Sequence, residues 1–373
     1  MEIKILDGHA ATARMACEKF QEAWHALFRS CRWATGFQAP AFALAWYETY
    51  AATAEPVLVI AEDGHDLVGL LALAWDGGSY RLFNVGDHQA EYHAWIAADH
   101  LANAFIIEAL SALSETFPRS SLSFRYLPPD APTAWLDEAH PLRDSLSIRK
   151  VSRPLIRLID DQQIETSLRK RSNRSRLNRL RKACGGELTS RVIGTEEELA
   201  TVIDEIARHY DQRQSTLNGI RPFLDDADKK EFHLKLMRAG CLHAFTLHAG
   251  SSFVAAIISV KSGRCLSLGI LAHAIDLAPC SPGKFGVLFM ALAALRDDYD
   301  LIDLTPGGDW KDRFANDGDW VLEAKVWFDR RAMMKARLNE QAISSLKWLL
   351  RPCGPMPQKI RQLLAVSARR IKR

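Results

Sequence analysis

Shifted by 186 residues, the 373-residue chain registers on itself without a gap from Phe37 to about Leu113. Phe37 falls on Phe223, and Trp46 falls on Phe232 within a helical pattern. Two alternating apolar runs broken by a glycine turn coincide, Val57–Ala74 and His243–Val260, with Gly64 on Gly250 and Val68 on Val254. Such alternation around a tight turn specifies a hairpin. A third strand follows in each half, Tyr80–Gly86 and Leu266–Ala272, then a helix from Leu101 or Val287. An apolar strand closes each unit, Leu122–Tyr126 and Leu301–Leu304, with the loop seven residues shorter in the second half. A repeated order of helix, meander, helix and strand means two related units, each a mixed sheet with helices on it, in the α/β (α+β) class. The expected division is a first lobe over 1–150, a second over 151–335 and a basic helical tail over 336–373.

Between the units lie a strand with its crossover, Arg143–Leu158, and a helix from about Gln162 to Ala183 stopped by Gly185-Gly186. Another helix covers Glu196–Gln214. The net charge of +3 hides an asymmetry: Arg169–Lys182 and Gln341–Arg373 each hold eight basic residues and no acids, leaving 3 − 16 = −13 elsewhere. Concentrated positive charge is a footprint for anionic partners, although a solvated helix face explains it equally well. Seven scattered cysteines without a CxxC pair argue against a disulfide framework and a structural metal, and suit the cytoplasm. The apolar runs Leu67–Trp75 and Gly286–Leu295 are half the length of a membrane span.

The halves differ where each helix begins. The second has Ser281-Pro282-Gly283-Lys284-Phe285-Gly286; the first has Trp95 to His100 without glycine. A glycine-bearing loop before a helix N-terminus presents backbone N–H groups to phosphate, with Lys284 adding a charge. Bulky Trp95 and Ile96 would obstruct a phosphate, and Asp99 would repel one while capping the helix behind it.

With Phe37-Gln38-Ala39-Pro40 through Trp46, the basic stretch 169–182, His209 with Arg213, Ser281-Pro282-Gly283, and Asp303 followed by Gly308-Asp309-Trp310-Lys311-Asp312-Arg313-Phe314, residues 35–330 resemble the CelD/BcsL-type GNAT acetyltransferases. FemAB-type aminoacyl transferases share the tandem architecture. Trp310 stands where those families usually show Tyr, and Ser281-Pro282-Gly283 departs from the usual Gln/Arg-x-x-Gly-x-Gly/Ala loop. The resemblance implies two tandem GNAT-like lobes and direct transfer from acetyl-CoA, or another acyl-CoA, to a sugar, polysaccharide precursor or amine, with no metal. The donor would lie along Leu268, Gly269 and Ile270, with Gly269 marking a bulge, and on Ser281, Gly283, Lys284, Phe285 and Gly286. Asp303 is the first choice for the base that takes the acceptor proton, against pairing with Lys311 or Arg313; His209 is the alternative base. Arg213, Asp309, Trp310, Lys311 and Arg313 are the expected substrate contacts.

His209 and Arg213 share a helical face, where a plain surface pair is the competing explanation. His243 and His248 face opposite sides of a strand, and His88, Glu91 and His93 make a poor metal set. The runner-up is a FemAB-like transferase whose basic helix grips aminoacyl-tRNA, followed by a non-catalytic nucleic-acid-binding or scaffold protein. The basic tail is a candidate for peripheral membrane contact, and the sequence leaves the oligomeric state open.

Overall fold

The computed structural model describes residues 1–137, 143–308 and 310–338. Asp309 and most of the basic tail, residues 339–373, therefore lie outside the described residues. The first half runs β1 (Glu2–Asp7), α1 (Gly8–Met15), α2 (Glu18–Ser30), α3 (Pro40–Thr49), β2 (Glu55–Asp63), β3 (Asp66–Asp76), β4 (Arg81–Asn84), β5 (Ile96–Ala97), α4 (Ala102–Thr116), β6 (Ser121–Leu127) and β7 (Leu146–Arg157). The second runs α5 (Asp161–Arg169), α6 (Arg171–Cys184), β8 (Leu188–Ile193), α7 (Glu196–Asn218), α8 (Lys229–Arg238), β9 (Leu242–Ala249), β10 (Ser252–Ser262), β11 (Cys265–His273), α9 (Pro282–Arg296), β12 (Leu301–Asp303) and β13 (Asp317–Trp327).

The repeat is real, and it reaches further toward the N-terminus than the sequence shows. β1 and β8 coincide at the 186-residue shift, as do β3 and β10. Gly64 and Gly250 both turn their hairpins with positive φ, 63° and 58°. Val68 and Val254 are both the unpaired residue of a bulge, so the match extends to irregularities of the ladder. Past the meander the shift falls to 180: α4 meets α9, and β6 meets β12. The shortening thus lies before the helix, not after it as expected, and the second helix begins at Pro282 rather than Val287.

Strand pairing joins the halves reciprocally. β12 pairs antiparallel with β7, β13 pairs antiparallel with β6, and β7 and β13 pair with each other. An eight-stranded sheet results, in the order β6-β13-β7-β12-β11-β10-β9-β8, beside a first-half sheet β1-β2-β3-β4 with β5 on β3. The first-half strand β6 therefore hydrogen-bonds into the larger sheet. The equivalent helices α3 and α8 pack on each other, with Phe42 and Phe232 edge to face at 5.5 Å. Tyr50 Oη donates to Asp226 across the same seam at 2.9 Å.

Each helix approaches its sheet closely, but by opposite means. In the first half, a Cβ on strand residue Gly69 would stand 2.5 Å from the Phe105 ring of α4. In the second, the strand residue is Ala255, and the gap is made by Gly286 on α9, whose Cβ would stand 2.8 Å from that of Ala255. Ile106 occupies the position in α4 that Gly286 occupies in α9. Gly286 thus faces the sheet, and its lack of a side chain serves packing rather than an approaching phosphate.

A candidate acyl-transfer cleft between the halves

β11 and β12 pair in parallel for three residues, Cys265–Ser267 with Leu301–Asp303, and then separate. β11 continues to His273, with Gly269 as an exposed extra residue between the pairs Ser259–Leu268 and Ile258–Ile270. The other arm turns away: Leu304 N–H donates to Pro154 O at 3.1 Å, and Thr305 takes a φ of +63°. The bulge expected at Gly269 is present, flanked by buried Leu268 and Ile270.

The sequence Ser281–Gly286 is the first turn of α9 rather than a loop before it. Ser281 adopts left-handed backbone (φ +59°) and Pro282 fills the first helical position, where its missing N–H costs nothing. Lys284 and Phe285 both return their N–H groups to Ser281 O, and Gly283 N–H has no hydrogen-bond partner among the described residues. Phe285 is wholly buried in the core. A Cβ on Gly283 would come within 3.0 Å of the His273 ring at the end of β11. Lys284 Nζ donates to Oδ1 of the buried Asn173 of α6 at 2.8 Å. Burial lowers its pKa, and Arg176 and Lys170 push in the same direction. Cations thus crowd the start of α9.

Asp303 lies at the foot of the opening, 1% exposed. Oδ2 accepts from Tyr92 Oη at 2.6 Å and from Arg153 Nη1 at 3.2 Å, while Oδ1 accepts from Thr305 N–H at 2.7 Å. Burial raises its pKa despite these partners. With both oxygens engaged and no path to solvent, Asp303 ties Tyr92 of the first half to Arg153. Arg153 also forks onto Asp319. Neither Lys311 nor Arg313 is the partner, as pairing in the last loop had suggested.

Above this floor, Arg213 Nη1 donates to Leu271 O at 3.3 Å, and its guanidinium lies 5.8 Å from the centre of the Trp310 ring. Lys311 Nζ donates to O and Oγ1 of Thr305, both at 3.0 Å. Burial lowers the pKa of both cations, and no acid among the described residues pairs with either. Arg313 is exposed. His209 is buried and stacked on Phe253 at 4.4 Å, with Nδ1 unpartnered and Nε2 3.1 Å from Arg208 Nη2. Burial and Arg208 both lower its pKa, so it is neutral near pH 7.

The first half contributes more to the cleft than its sequence suggests. The pairs Leu73–Asn84 and Leu70–Ile96 correspond to Ser259–Leu268 and Ala256–Ala272. Eleven residues, 85–95, therefore replace the three residues 269–271. This excursion leaves the sheet at Gly86 (φ +87°), runs beside β6 through a His93 N–H to Tyr126 O bond of 2.9 Å, and rejoins at β5. It carries Tyr92 to Asp303, and Gln89 to the buried Lys229 at 3.2 Å. Glu91 on the same segment meets Arg125 at 3.2 Å, and its charge acts on Lys311. Trp95 and Ile96 are core residues, Trp95 against Trp33, Phe124 and Trp135, so neither bars a phosphate. Asp99 pairs with Arg32 instead of capping α4.

Residues 167–314 match the family model described as an acetyltransferase (GNAT) domain, which spans the opening, α9 and the Trp310–Phe314 segment. No curated protein sequence matches the chain. Among solved structures, a conserved protein of unknown function from Bacteroides thetaiotaomicron superposes with a TM-score of 0.55 at 11% identity, covering 82% of this chain and 96% of that one. The C-terminal domain of a putative lysylphosphatidylglycerol synthetase from Agrobacterium fabrum gives 0.52 at 10% identity, covering 87% and 96%. FemX gives 0.52 at 11% identity, covering 82% and 95%. At these identities the likeness is one of fold: tandem GNAT-like units, as the resemblance implied. Among the described residues, no helix is long and apolar enough to cross a membrane.

Proposed function

We propose that the chain is an acyl-CoA-dependent N- or O-acyltransferase whose second half holds the donor and whose first half is a degenerate copy. The observation that carries this reading is the opening between β11 and β12, bulged at Gly269, within the segment that matches the GNAT domain model. A strand released from its neighbour leaves backbone groups free to hold an acyl-pantetheine arm, and an N–H at the bulge suits the oxyanion of an attacked thioester. The free Gly283 N–H and the cations Lys284, Lys170 and Arg176 suit the donor's pyrophosphate. The acceptor's lone pair attacks the thioester carbonyl carbon, the C–S bond breaks, and the thiolate takes up a proton. Of the two expected bases, Asp303 is sealed by three partners, whereas neutral His209 has a single contact to release, Arg208 at Nε2, before that nitrogen can accept a proton. Acetyl-CoA as donor, a saccharide or polysaccharide precursor as acceptor, and a cytoplasmic setting belong to the same proposal and rest on the sequence resemblance.

One observation favours a second reading. The outer face of α6 carries Arg171, Arg174, Arg179 and Lys182 around an open groove, which suits the phosphates of an aminoacyl-tRNA. Thermal shifts separate the two: a ligand at 100 times its dissociation constant stabilises by about 2.7 kcal/mol. A shift with acetyl-CoA but not tRNA supports acyl-CoA transfer; the reverse supports the tRNA reading, and a shift with neither defeats both.

A further inference from the structure

The cleft is built from both halves, and its charges do not balance. Asp303 is matched by Arg153, and Arg125 by Glu91. Arg213 and Lys311 remain half-buried, without an acidic partner among the described residues, on the side of the cleft made by α7 and the Trp310 segment. Glu91, whose charge acts on Lys311, has Arg125 as its one partner among the described residues, and that arginine also lies 5.5 Å from the centre of the Tyr126 ring. The excursion 85–95 that carries Glu91 replaces three residues of an otherwise conserved strand register, and it is tied to the second half at Gln89 and Tyr92. An insertion that breaks the first half's own donor strand and delivers a carboxylate to the other half's cleft is explained by a role there.

We propose that residues 85–95 form the acceptor subsite, with Glu91 holding the acceptor's ammonium while Arg213 and Lys311 hold an anionic group of the same molecule. The acceptor class is then an amine that also bears a phosphate or carboxylate, which makes the product an amide rather than an ester. This rests on the acyl-CoA reading. An isolated anion would satisfy the two cations but give the excursion that carries Glu91 no task, and a simple amine would leave the two cations unmet. On transfer the ammonium loses two protons. One leaves by way of Glu91 to solvent before attack, freeing the nitrogen lone pair, and the other, taken up by His209 as the N–C bond forms, ends on the thiolate as the C–S bond breaks.

The test uses the full chain and first measures acetyl-CoA binding by calorimetry; no binding defeats the donor reading and, with it, this one. With binding established, release of CoA thiol is followed with two matched sets: glucosamine 6-phosphate, glucosamine and glucose 6-phosphate; and β-alanine, propylamine and propionate. The expected result is a kcat/KM at least tenfold higher for the bifunctional member of one set, with the set identifying phosphate or carboxylate. Glu91→Gln should lower kcat at least thirtyfold at unchanged acetyl-CoA affinity, with partial recovery in Glu91→Asp. Arg213→Ala should raise KM for the bifunctional acceptor about tenfold and erase its advantage over the plain amine. Equal rates on plain amines, transfer to the members lacking an amine, no transfer to either bifunctional member despite bound acetyl-CoA, or a fully active Glu91→Gln would each overturn the assignment.

Discussion

The two halves share their hairpins residue for residue and part company at one strand. In the second half, β11 runs unbroken past the bulge at Gly269 and then diverges from β12. In the first, the same strand is split into β4 and β5 by residues 85–95, and β4 and β6 meet through Asn84 Nδ2 and Ser123 O at 2.8 Å rather than through a ladder. On the proposed reading, the copy that kept its strand kept a place for the donor. The copy that lost it gained a segment that reaches across the seam.

The largest expected effect breaks or sharpens the exchange of glycine between strand and helix. Gly69→Val should cost about 3 kcal/mol, because its new atoms meet the fixed ring of Phe105 in a filled core. Gly286→Ala should cost about 1–2 kcal/mol and be largely rescued by Ala255→Gly, which moves the gap to the strand, as in the first half. Urea unfolding measures both. Additive costs in the Gly286–Ala255 pair would mean that the two halves do not solve the same packing problem.

A smaller effect probes the seam. Burial lowers the Lys229 pKa to about 8, and Gln89 of the excursion is its hydrogen-bond acceptor. A base whose folded pKa is depressed contributes most above its unfolded value near 10.5, loses that contribution as pH falls to about 8, and is level below. Lowering this pKa from near 10.5 to about 8 corresponds to about 3 kcal/mol, and losing the Gln89 bond returns about 1. Lys229→Met should therefore raise stability by about 2 kcal/mol at pH 7 and flatten the rise of stability between pH 8 and 10.5. An unchanged slope would show that Lys229 reaches solvent.

The least effect concerns the start of each second helix. Ser281 bears a φ of +59°, whereas Leu101, its counterpart at the 180-residue shift, bears −105°. Ser281→Gly should stabilise by about 0.5–1 kcal/mol and Leu101→Gly should destabilise by at least as much, read from thermal midpoints. The same sign at both positions would contradict the difference in backbone.

Much of this contrast was legible in the residues. Period-two alternation and the turn glycines Gly64 and Gly250 placed both hairpins, and even the bulge valines lay on one another. Pro282, the usual occupant of a first helical position, already marked the start of α9, but the glycines around it drew attention to a loop instead. The excursion was illegible because irregular backbone has no period, and the exchange of β6 and β12 depends on pairings distant in sequence. Asp303 showed as a carboxylate at a strand end; that Tyr92, 211 residues away, and Arg153, 150 residues away, close over it is a fact of tertiary structure. Glu91 carried a signal, an acid beside two histidines, which read as a poor metal set.

One donor site per chain, in the second half, is what the proposed function requires. Calorimetric titration with acetyl-CoA should give a stoichiometry of one, persist in Asp99→Ala, and weaken at least tenfold, about 1.4 kcal/mol, in Lys284→Glu with the fold intact by circular dichroism. Two sites per chain, or full affinity retained in Lys284→Glu, would contradict it.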